Sequence, residues 1–130
     1  MTSVTYLAGP YTKGGPETRL ARFHALTYAA AEMIKTKRIV YSPITMTHPI
    51  DLVIAGNTST LGSEFWVSFD EAFMEHCSEI VVLTLPGWRE SSGVTREIAH
   101  FQKRGISPQY VTPDTFGISV DNPLFAAAFS

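Results

Sequence analysis

One glutamate of this chain is well placed for chemistry, because it follows the start of a predicted helix in the segment S-S-G-V-T-R-E, residues 91–97. Ser91 or Ser92 can cap that helix, which puts Glu97 about one and a half turns inside it, with Gly93 on the same face. Helical side chains lean toward the N-terminus, so the missing side chain at Gly93 leaves space in front of the Glu97 carboxyl group. The helix dipole favours an ionised carboxylate, and an accessible carboxylate can act as a nucleophile. The alternative is that Glu97 only stabilises the helix through its interaction with the helix dipole.

A second carboxyl group, that of Asp70, lies in the middle of a predicted helix and has aromatic residues on both sides. Aspartate is a poor helix former in that position. One interpretation is a solvated face between core positions. The other is a second carboxylate at the rim of the cleft that contains Glu97. A pair of carboxylates is the usual equipment for breaking a glycosidic bond through an oxocarbenium-like transition state.

An alternation of strands and helices must position these residues. The predicted strands are 3–8, 38–44, 79–85 and 110–112, and the predicted helices are 17–35, 63–77 and one from the serines at 91–92 to Gly105. This order predicts a three-layer α/β domain over residues 1–130, with a parallel sheet of four or five strands and the first strand central. In the first helix, Leu20, Phe23, Leu26, Ala30 and Ile34 recur near helical spacing and predict its buried face.

The segment 45–63 is polar and punctuated by Pro and Gly, so we read it as a long loop of the kind that often forms a lid. His48 lies in this segment and is a candidate lid residue. The other histidines, His24, His76 and His100, fall at helical positions without matching partners, which favours surface or core roles. No cluster of residues has metal-ligand spacing, so neither a metal nor another cofactor is expected.

Three junctions follow the carboxyl ends of the predicted strands, at 9–16, 43–62 and 86–92, and ligands of parallel sheets bind at that edge. In the first junction, Gly9 allows a ligand to approach the backbone and Pro10 fixes its position. A simple tight turn is the alternative. The chain lacks both G-x-G-x-x-G and G-x-x-x-x-G-K-[ST], which disfavours a common dinucleotide fold and a P-loop.

The composition excludes several classes of protein. A net charge of −2 without a basic run disfavours binding to duplex DNA or RNA. The single cysteine, Cys77, cannot form an internal disulfide bond, and the N-terminus lacks the pattern of a signal peptide. No apolar stretch approaches the roughly 20 residues that span a bilayer. We therefore expect a soluble, cytoplasmic protein that does not associate with membranes.

Short motifs over residues 4–112 resemble the nucleoside 2-deoxyribosyltransferase superfamily. They are a strand ending in Y-L-A-G-P, a helix with F-D-E-A-F before C-S-E-I-V-V-L, and S-S-G-V-x-x-E-I. The resemblance implies a flavodoxin- or Rossmann-like fold and cleavage of an N-glycosidic bond in a nucleoside or nucleotide. It also implies roles for three residues: Glu97 as the nucleophile, Tyr6 as the residue that orients it, and Asp70 as an assistant at the leaving base.

The chain departs from the transferases of that family before Gly93, where they tend to carry an acidic residue between the third strand and the glycine. The serines and the Gly-Val pair are more similar to a branch that hydrolyses nucleoside 5′-monophosphates, which implies a phosphate site. Ser91 and Ser92, with the free N–H groups of the helix start and with Lys13 or Arg19, could bind that phosphate, although simple capping explains the serines equally well. A non-catalytic nucleotide-binding or partner-binding module is the alternative function.

Aromatic residues occupy more than one face of the helix predicted over 63–77, which is more than packing against one sheet requires. The residues are Phe65, Trp66, Phe69 and Phe73. The resemblance also implies dimers or larger assemblies. We therefore expect a homo-oligomer that packs partly through this helix.

Overall fold

The computed structural model describes residues 2–55 and 61–130. The strands are β1 (Val4–Ala8), β2 (Ile39–Tyr41), β3 (Glu79–Leu83) and β4 (Gln109–Val111). They form a four-stranded sheet in the order β2-β1-β3-β4, in which every pairing is parallel. The prediction of a parallel sheet with the first strand in its interior is confirmed.

Among the described residues, four helices connect and cover the strands: α1 (Pro16–Lys35), α2 (Pro43–Ala55), α3 (Gly62–Met74) and α4 (Ser92–Lys103). Two short 3₁₀ helices, Pro113–Phe116 and Ala126–Phe129, belong to the C-terminal segment. None of the helices within the described ranges combines the length and the apolar character that a membrane span needs.

Alternate residues of β1 and β3 point to opposite faces of the sheet, and each face has its own core. Leu7, Val81 and Leu83 pack with α1 and the C-terminal segment, whereas Tyr6 and Val82 pack with residues of α3 and α4. The sheet is therefore covered on both sides, which confirms the three-layer sandwich of the flavodoxin- or Rossmann-like type.

The buried face of α1 differs from the predicted one. Leu20 and Ile34 are 45% and 50% exposed, whereas Ala21, Ala25 and Ala29 are buried. The small alanine side chains let this helix approach the sheet closely, so the core-facing stripe consists mostly of alanines, together with Leu26 and Met33. The expectation that Leu20 and Ile34 mark the core face is wrong.

The segment that we read as a loop after β2 is mostly the helix α2. Pro43 lies in its first turn, where a missing N–H group costs nothing, and the Ser42 hydroxyl lies 2.7 Å from that of Thr45. Pro49 lies inside the helix and cannot donate to the carbonyl of Thr45. The prediction of a long loop is wrong for residues 45–55; its continuation at 56–60 lies outside the described residues.

The register of the sheet places Tyr6 opposite Tyr41 of β2 and opposite Ile80 of β3. The chain leaves β1 toward α1 on one face of the sheet and leaves β3 toward α4 on the other. A crevice opens between two neighbouring strands when their connections leave on opposite faces. The carboxyl ends of β1 and β3 are therefore the place where this fold offers a ligand site.

Candidate active site

A cavity of about 640 Å³ lies at this edge of the sheet. Its volume falls in the range of roughly 300–1,000 Å³ that is typical of small-molecule sites. Its walls come from the loop after β1 and from all four helices. Two groups of polar residues line it: Asp70, Arg96 and Glu97 form one, and Tyr11, Arg19, His48 and Asp51 form the other.

Glu97 is positioned by the start of α4. The Ser91 side chain accepts a hydrogen bond of 3.2 Å from the backbone N–H of Val94, so the helix begins at Ser92 and its first turns reach the cavity. The Tyr6 hydroxyl group, from β1, donates a hydrogen bond to Oε2 of Glu97. Tyr6 is fully buried and Glu97 is 9% exposed, so the pair is screened from water.

Burial raises the pKa of Glu97 to about 8. The hydrogen bond from Tyr6 and the charge of Arg96 act in the opposite direction, and Asp70 raises the pKa further. The carboxyl group is therefore mostly protonated at neutral pH, so the expectation of an ionised Glu97 is wrong for the protein without a ligand. The helix dipole favours the ionised form of Glu97, but desolvation outweighs the dipole.

Asp70 lines the same cavity from α3, and its Oδ1 atom is buried without a hydrogen-bond partner in the described part of the chain. Burial raises its pKa to about 6, and Arg96 pulls that value down. The charge of Asp70 acts on both Glu97 and Tyr6. The three residues to which the resemblance gives chemical roles thus share one electrostatic environment.

The glycine at the start of α4 leaves room in front of Glu97. A Cβ atom added to Gly93 would meet only Ser91 Oγ at 3.7 Å and Arg96 Nη2 at 4.0 Å, and Gly93 lines the cavity. Arg96, which precedes Glu97 in sequence, also lines the cavity, and the sequence analysis missed it. Its position in the sequence could have identified it, because Arg96 is a cation next to the proposed nucleophile Glu97, and both lie on the helix whose start contacts the site.

The second polar group lies on α1, α2 and the loop after β1. Tyr11 Oη and His48 Nδ1 are hydrogen-bonded at 2.5 Å, and the His48 ring stacks on Phe23 with 4.5 Å between ring centres. His48 is therefore a buried residue of α2, not part of a loop. Burial lowers its pKa, which favours the neutral imidazole ring. The sequence analysis missed Tyr11 and Asp51.

Five of the eight predicted binding residues line the cavity: Gly9, Arg19, His48, Ser91 and Gly93. The other three, Pro10, Lys13 and Ser92, are not among the described lining residues. The side chains of Lys13 and Ser92 are exposed, and Pro10 is buried beside the loop. The structure therefore does not bring Lys13 or Ser92 to the proposed anion site.

Packing against α1 explains why residue 9 is a glycine, which the sequence did not reveal. A Cβ atom at this position would lie 2.6 Å from Cδ2 of Leu26, which is fully buried. A side chain at residue 9 would therefore collide with α1. Close packing of β1 against α1 requires this glycine, whether or not a ligand approaches it.

A buried arginine joins two of the loops at the edge of the cavity. The Arg22 guanidinium group donates to the carbonyl oxygens of Lys13 at 2.6 Å, Tyr11 at 3.3 Å and Pro86 at 3.3 Å. The first two carbonyls belong to the loop after β1, and the third follows β3. Arg22 thus fixes the backbone of the loop that contains Tyr11.

Within residues 2–55 and 61–130, no group of three or more His, Cys, Asp or Glu side chains is arranged to hold a metal ion. The polar groups of this site are three carboxyl groups, the phenols of Tyr6 and Tyr11, an imidazole ring and two guanidinium groups.

Comparison with known proteins gives a family but no activity. No protein of curated function matches the chain. One family model, described as Domain of unknown function (DUF1937), matches residues 3–111, a range that includes the whole sheet and every cavity residue discussed above. The chain therefore belongs to the DUF1937 family.

Proposed function

We propose that this protein cleaves the N-glycosidic bond of a nucleoside, a deoxynucleoside or a nucleoside 5′-monophosphate, with Glu97 as the nucleophile. The observation that carries the proposal is that Glu97 and Asp70 line one cavity of about 640 Å³, with the buried Tyr6 hydrogen-bonded to Glu97. Two carboxyl groups at one site are the equipment that acid- and nucleophile-assisted glycosidic cleavage needs. The resemblance to the nucleoside 2-deoxyribosyltransferase superfamily supports the same assignment.

In the proposed reaction the Glu97 carboxylate attacks the anomeric carbon of the sugar. The bond between that carbon and the base nitrogen breaks, its electron pair goes to the base, and the carboxylic acid of Asp70 supplies a proton to the leaving base. The product is a glycosyl ester on Glu97. Attack by water on this ester completes a hydrolysis, whereas attack by a second base completes a transfer.

The protonation states required for this reaction form a minority at neutral pH. Glu97, with a pKa of about 8, must be ionised, while Asp70, with a pKa of about 6, must be protonated. One proton shared between the two carboxyl groups satisfies both needs when it lies on Asp70. Arg96 favours ionisation of Glu97, and the Tyr6 hydrogen bond acts in the same direction.

The start of α4 is the proposed site for a 5′-phosphate. Its first N–H groups are free of helix partners, and Ser91 and Arg96 line the cavity beside them. Arg96, which lines the cavity, takes the role that the sequence had suggested for Lys13, which is not among the lining residues.

The test is to incubate the purified protein with deoxynucleosides and nucleoside 5′-monophosphates, with and without an acceptor base, and to detect released or exchanged base by chromatography. We expect turnover that Glu97→Gln lowers by orders of magnitude while the melting temperature at pH 6 hardly changes. Glu90→Gln is the matched control, because Glu90 is exposed and does not line the cavity. Release of base at the same rate by Glu97→Gln would refute the nucleophile assignment.

A second candidate function is a nucleotide-binding module without turnover. The observation that favours it is the raised pKa of Glu97, since a protonated carboxyl group is not a nucleophile. This candidate predicts binding of nucleotides by calorimetry with no release of base at any pH between 5 and 9. Turnover that appears as Glu97 ionises supports the enzyme instead.

The proposed enzyme is a homo-oligomer. Exposed apolar side chains concentrate on α2 and α3, among them Ile50, Val53, Phe65 and Phe73. Leu52 and Trp66 of the same two helices line the cavity, so a second copy that covers this surface would lie next to the site.

A further inference from the structure

The second polar group of the cavity has no role in the cleavage steps proposed above. Asp70 and Arg96 act on the pKa of Glu97, whereas Arg19 and Asp51 act on those of Tyr11 and His48. The two groups are therefore electrostatically distinct parts of one cavity. The second polar group has features of its own that point to a ligand.

His48 lines the cavity, and its ring is held in place on two sides. The side chain is only 6% exposed, its ring stacks on Phe23, and its Nδ1 atom is bonded to Tyr11 Oη. Its Nε2 atom is buried and has no hydrogen-bond partner among the described residues. Burial raises the pKa of Tyr11, so this phenol is neutral and its O–H group has a proton to donate.

The direction of the hydrogen bond with Tyr11 decides which tautomer of His48 is present. In the described part of the chain, His48 Nδ1 is the one hydrogen-bond partner of the Tyr11 hydroxyl group. When that hydroxyl group donates to Nδ1, the ring proton must lie on Nε2. His48, which lines the cavity, then has an N–H donor at Nε2 without a partner among the described residues.

Asp51 presents an acceptor next to this donor. It lies three residues after His48 on α2, so the two side chains share a helix face. Its Oδ1 atom is buried and, within the described residues, has neither a hydrogen-bond partner nor an ion pair. A buried polar atom without a partner is destabilising, and a ligand that supplies the partner offsets this cost.

We infer that the side chains of His48 and Asp51 form a recognition site for the hydrogen-bonding edge of a nucleobase. Such an edge carries an acceptor, a carbonyl oxygen or ring nitrogen, beside an N–H donor. The acceptor receives the His48 Nε2–H, and the donor binds the Asp51 carboxylate. Apolar side chains of Leu20, Ile44 and Trp66 line the same cavity and suit the faces of a planar ring.

A phosphate group fits this end of the cavity less well. The Asp51 carboxylate repels an anion, and His48 is neutral. The Arg19 guanidinium group already donates to the carbonyl oxygen of Gly14 at 2.8 Å. The base therefore lies toward α2 and the 5′ end of the sugar toward α4, with the anomeric carbon between them near Glu97.

This inference rests on the proposed function, but its test needs no turnover. Binding of free bases, hypoxanthine and cytosine, and binding of ribose 5-phosphate are measured separately by calorimetry. We expect Asp51→Asn to weaken the binding of hypoxanthine about tenfold or more, since loss of one charged hydrogen bond has an effect of that order. Binding of ribose 5-phosphate should be unchanged. Asp114→Asn, at an exposed position outside the cavity, is the matched control.

Tyr11→Phe supplies a second variant, because it frees the His48 tautomer without removing either group that contacts the base. It should weaken the binding of hypoxanthine by less than Asp51→Asn does. If Asp51→Asn does not fold, the wild-type protein gives the answer: 1-methylhypoxanthine lacks the N–H donor and should bind about tenfold more weakly than hypoxanthine.

Three results would overturn the inference: no binding of any base by the wild-type protein, equal binding of hypoxanthine by wild type and Asp51→Asn, or a loss of ribose 5-phosphate binding instead. Failure of the proposed cleavage gives a different result, namely binding of bases that depends on Asp51 without release of base from nucleosides.

Discussion

The hydroxyl group of Tyr6 on β1 donates a hydrogen bond to the carboxyl group of Glu97 on α4, and both side chains are buried. Burial and the nearby charge of Glu97 raise the pKa of Tyr6 well above its usual value, so Tyr6 stays neutral and remains a donor. This hydrogen bond stabilises the ionised form of Glu97 against the effect of burial. Tyr6 therefore controls the fraction of Glu97 that is ionised.

The first prediction concerns the pH dependence of kcat/KM. One proton shared by Asp70 and Glu97 gives a bell-shaped profile with apparent pKa values of about 6 and about 8, which belong to the pair. Tyr6→Phe removes the hydrogen bond that lowers the pKa of Glu97, so the alkaline limb should move to higher pH. Tyr41→Phe is the control, since the Tyr41 hydroxyl group contacts Met46 Sδ instead. An unchanged alkaline limb in Tyr6→Phe would contradict this role.

The second prediction concerns stability. The pKa of an ordinary glutamate carboxyl group is 4.5, and burial raises that of Glu97 to about 8 in the folded protein. Between these two pH values the folded state therefore binds more protons than the unfolded state. The free energy of unfolding should therefore fall as the pH rises from about 4.5 to about 8. In Glu97→Gln most of this fall should disappear, and a smaller one below about pH 6 should remain from Asp70. Urea titrations of both proteins at pH 5, 6, 7 and 8 measure the difference; parallel curves would show that Glu97 is ionised throughout.

The third prediction concerns Asp70→Asn, which removes the proposed proton donor and keeps the shape of the side chain. Bases that leave poorly need protonation more, so their kcat should fall more than that of good leaving bases. A series of nucleosides whose bases differ in basicity gives the slope of log kcat against the pKa of the leaving base. The slope should be steeper in the variant; an equal drop for all bases would assign Asp70 to binding.

The fourth prediction concerns assembly. Val53 on α2 is 85% exposed, and Phe65 on α3 is 46% exposed. Light scattering at micromolar concentration should give a dimer or a larger oligomer for the wild-type protein and a smaller species for Val53→Asp. Val120→Asp, at an exposed valine of the C-terminal segment, should keep the wild-type mass. A monomeric wild-type protein would rule out this interface.

The fifth prediction concerns Gly9→Ala. The added methyl group collides with the buried Leu26 side chain, so the free energy of unfolding should decrease by about 1–3 kcal/mol. Leu26→Val removes the colliding Cδ atoms, and the double variant should be less destabilised than the sum of the two single variants. Gly15→Ala, where an added Cβ atom meets nothing within 4 Å, should have little effect. Strict additivity of Gly9→Ala and Leu26→Val would mean that the two sites do not touch.

The sheet could be predicted from the sequence because β1 and β3 are short apolar runs, each followed by a helix pattern. The helix α2 could not, because its prolines look like loop residues. Pro43 lies in a first turn, where proline is tolerated. The hydrogen bond lost at Pro49 is offset by packing of Ile44 and His48 against the core and α1, which a local pattern does not reveal.

The two carboxyl groups of the site could be found because each carries a local signal: a glycine four residues before Glu97, and an unfavourable position for Asp70. Their ionisation could not be found, since desolvation depends on the residues that surround a group after folding. Asp51 was not predicted, because the helix α2 that carries it had been read as a loop. Its spacing from His48 has meaning only once both residues lie on a helix.

The hydrogen bonds of Arg22 have a consequence for the entropy of binding. Because one guanidinium group holds the carbonyl oxygens of Tyr11, Lys13 and Pro86, two loops at the mouth of the cavity are ordered when the chain folds. A ligand that touches Tyr11 therefore meets a preorganised wall and loses little affinity to the immobilisation of loops. The backbone amides beside Tyr11 and Pro86 should then exchange with solvent as one cooperative unit, rather than as two independent loops.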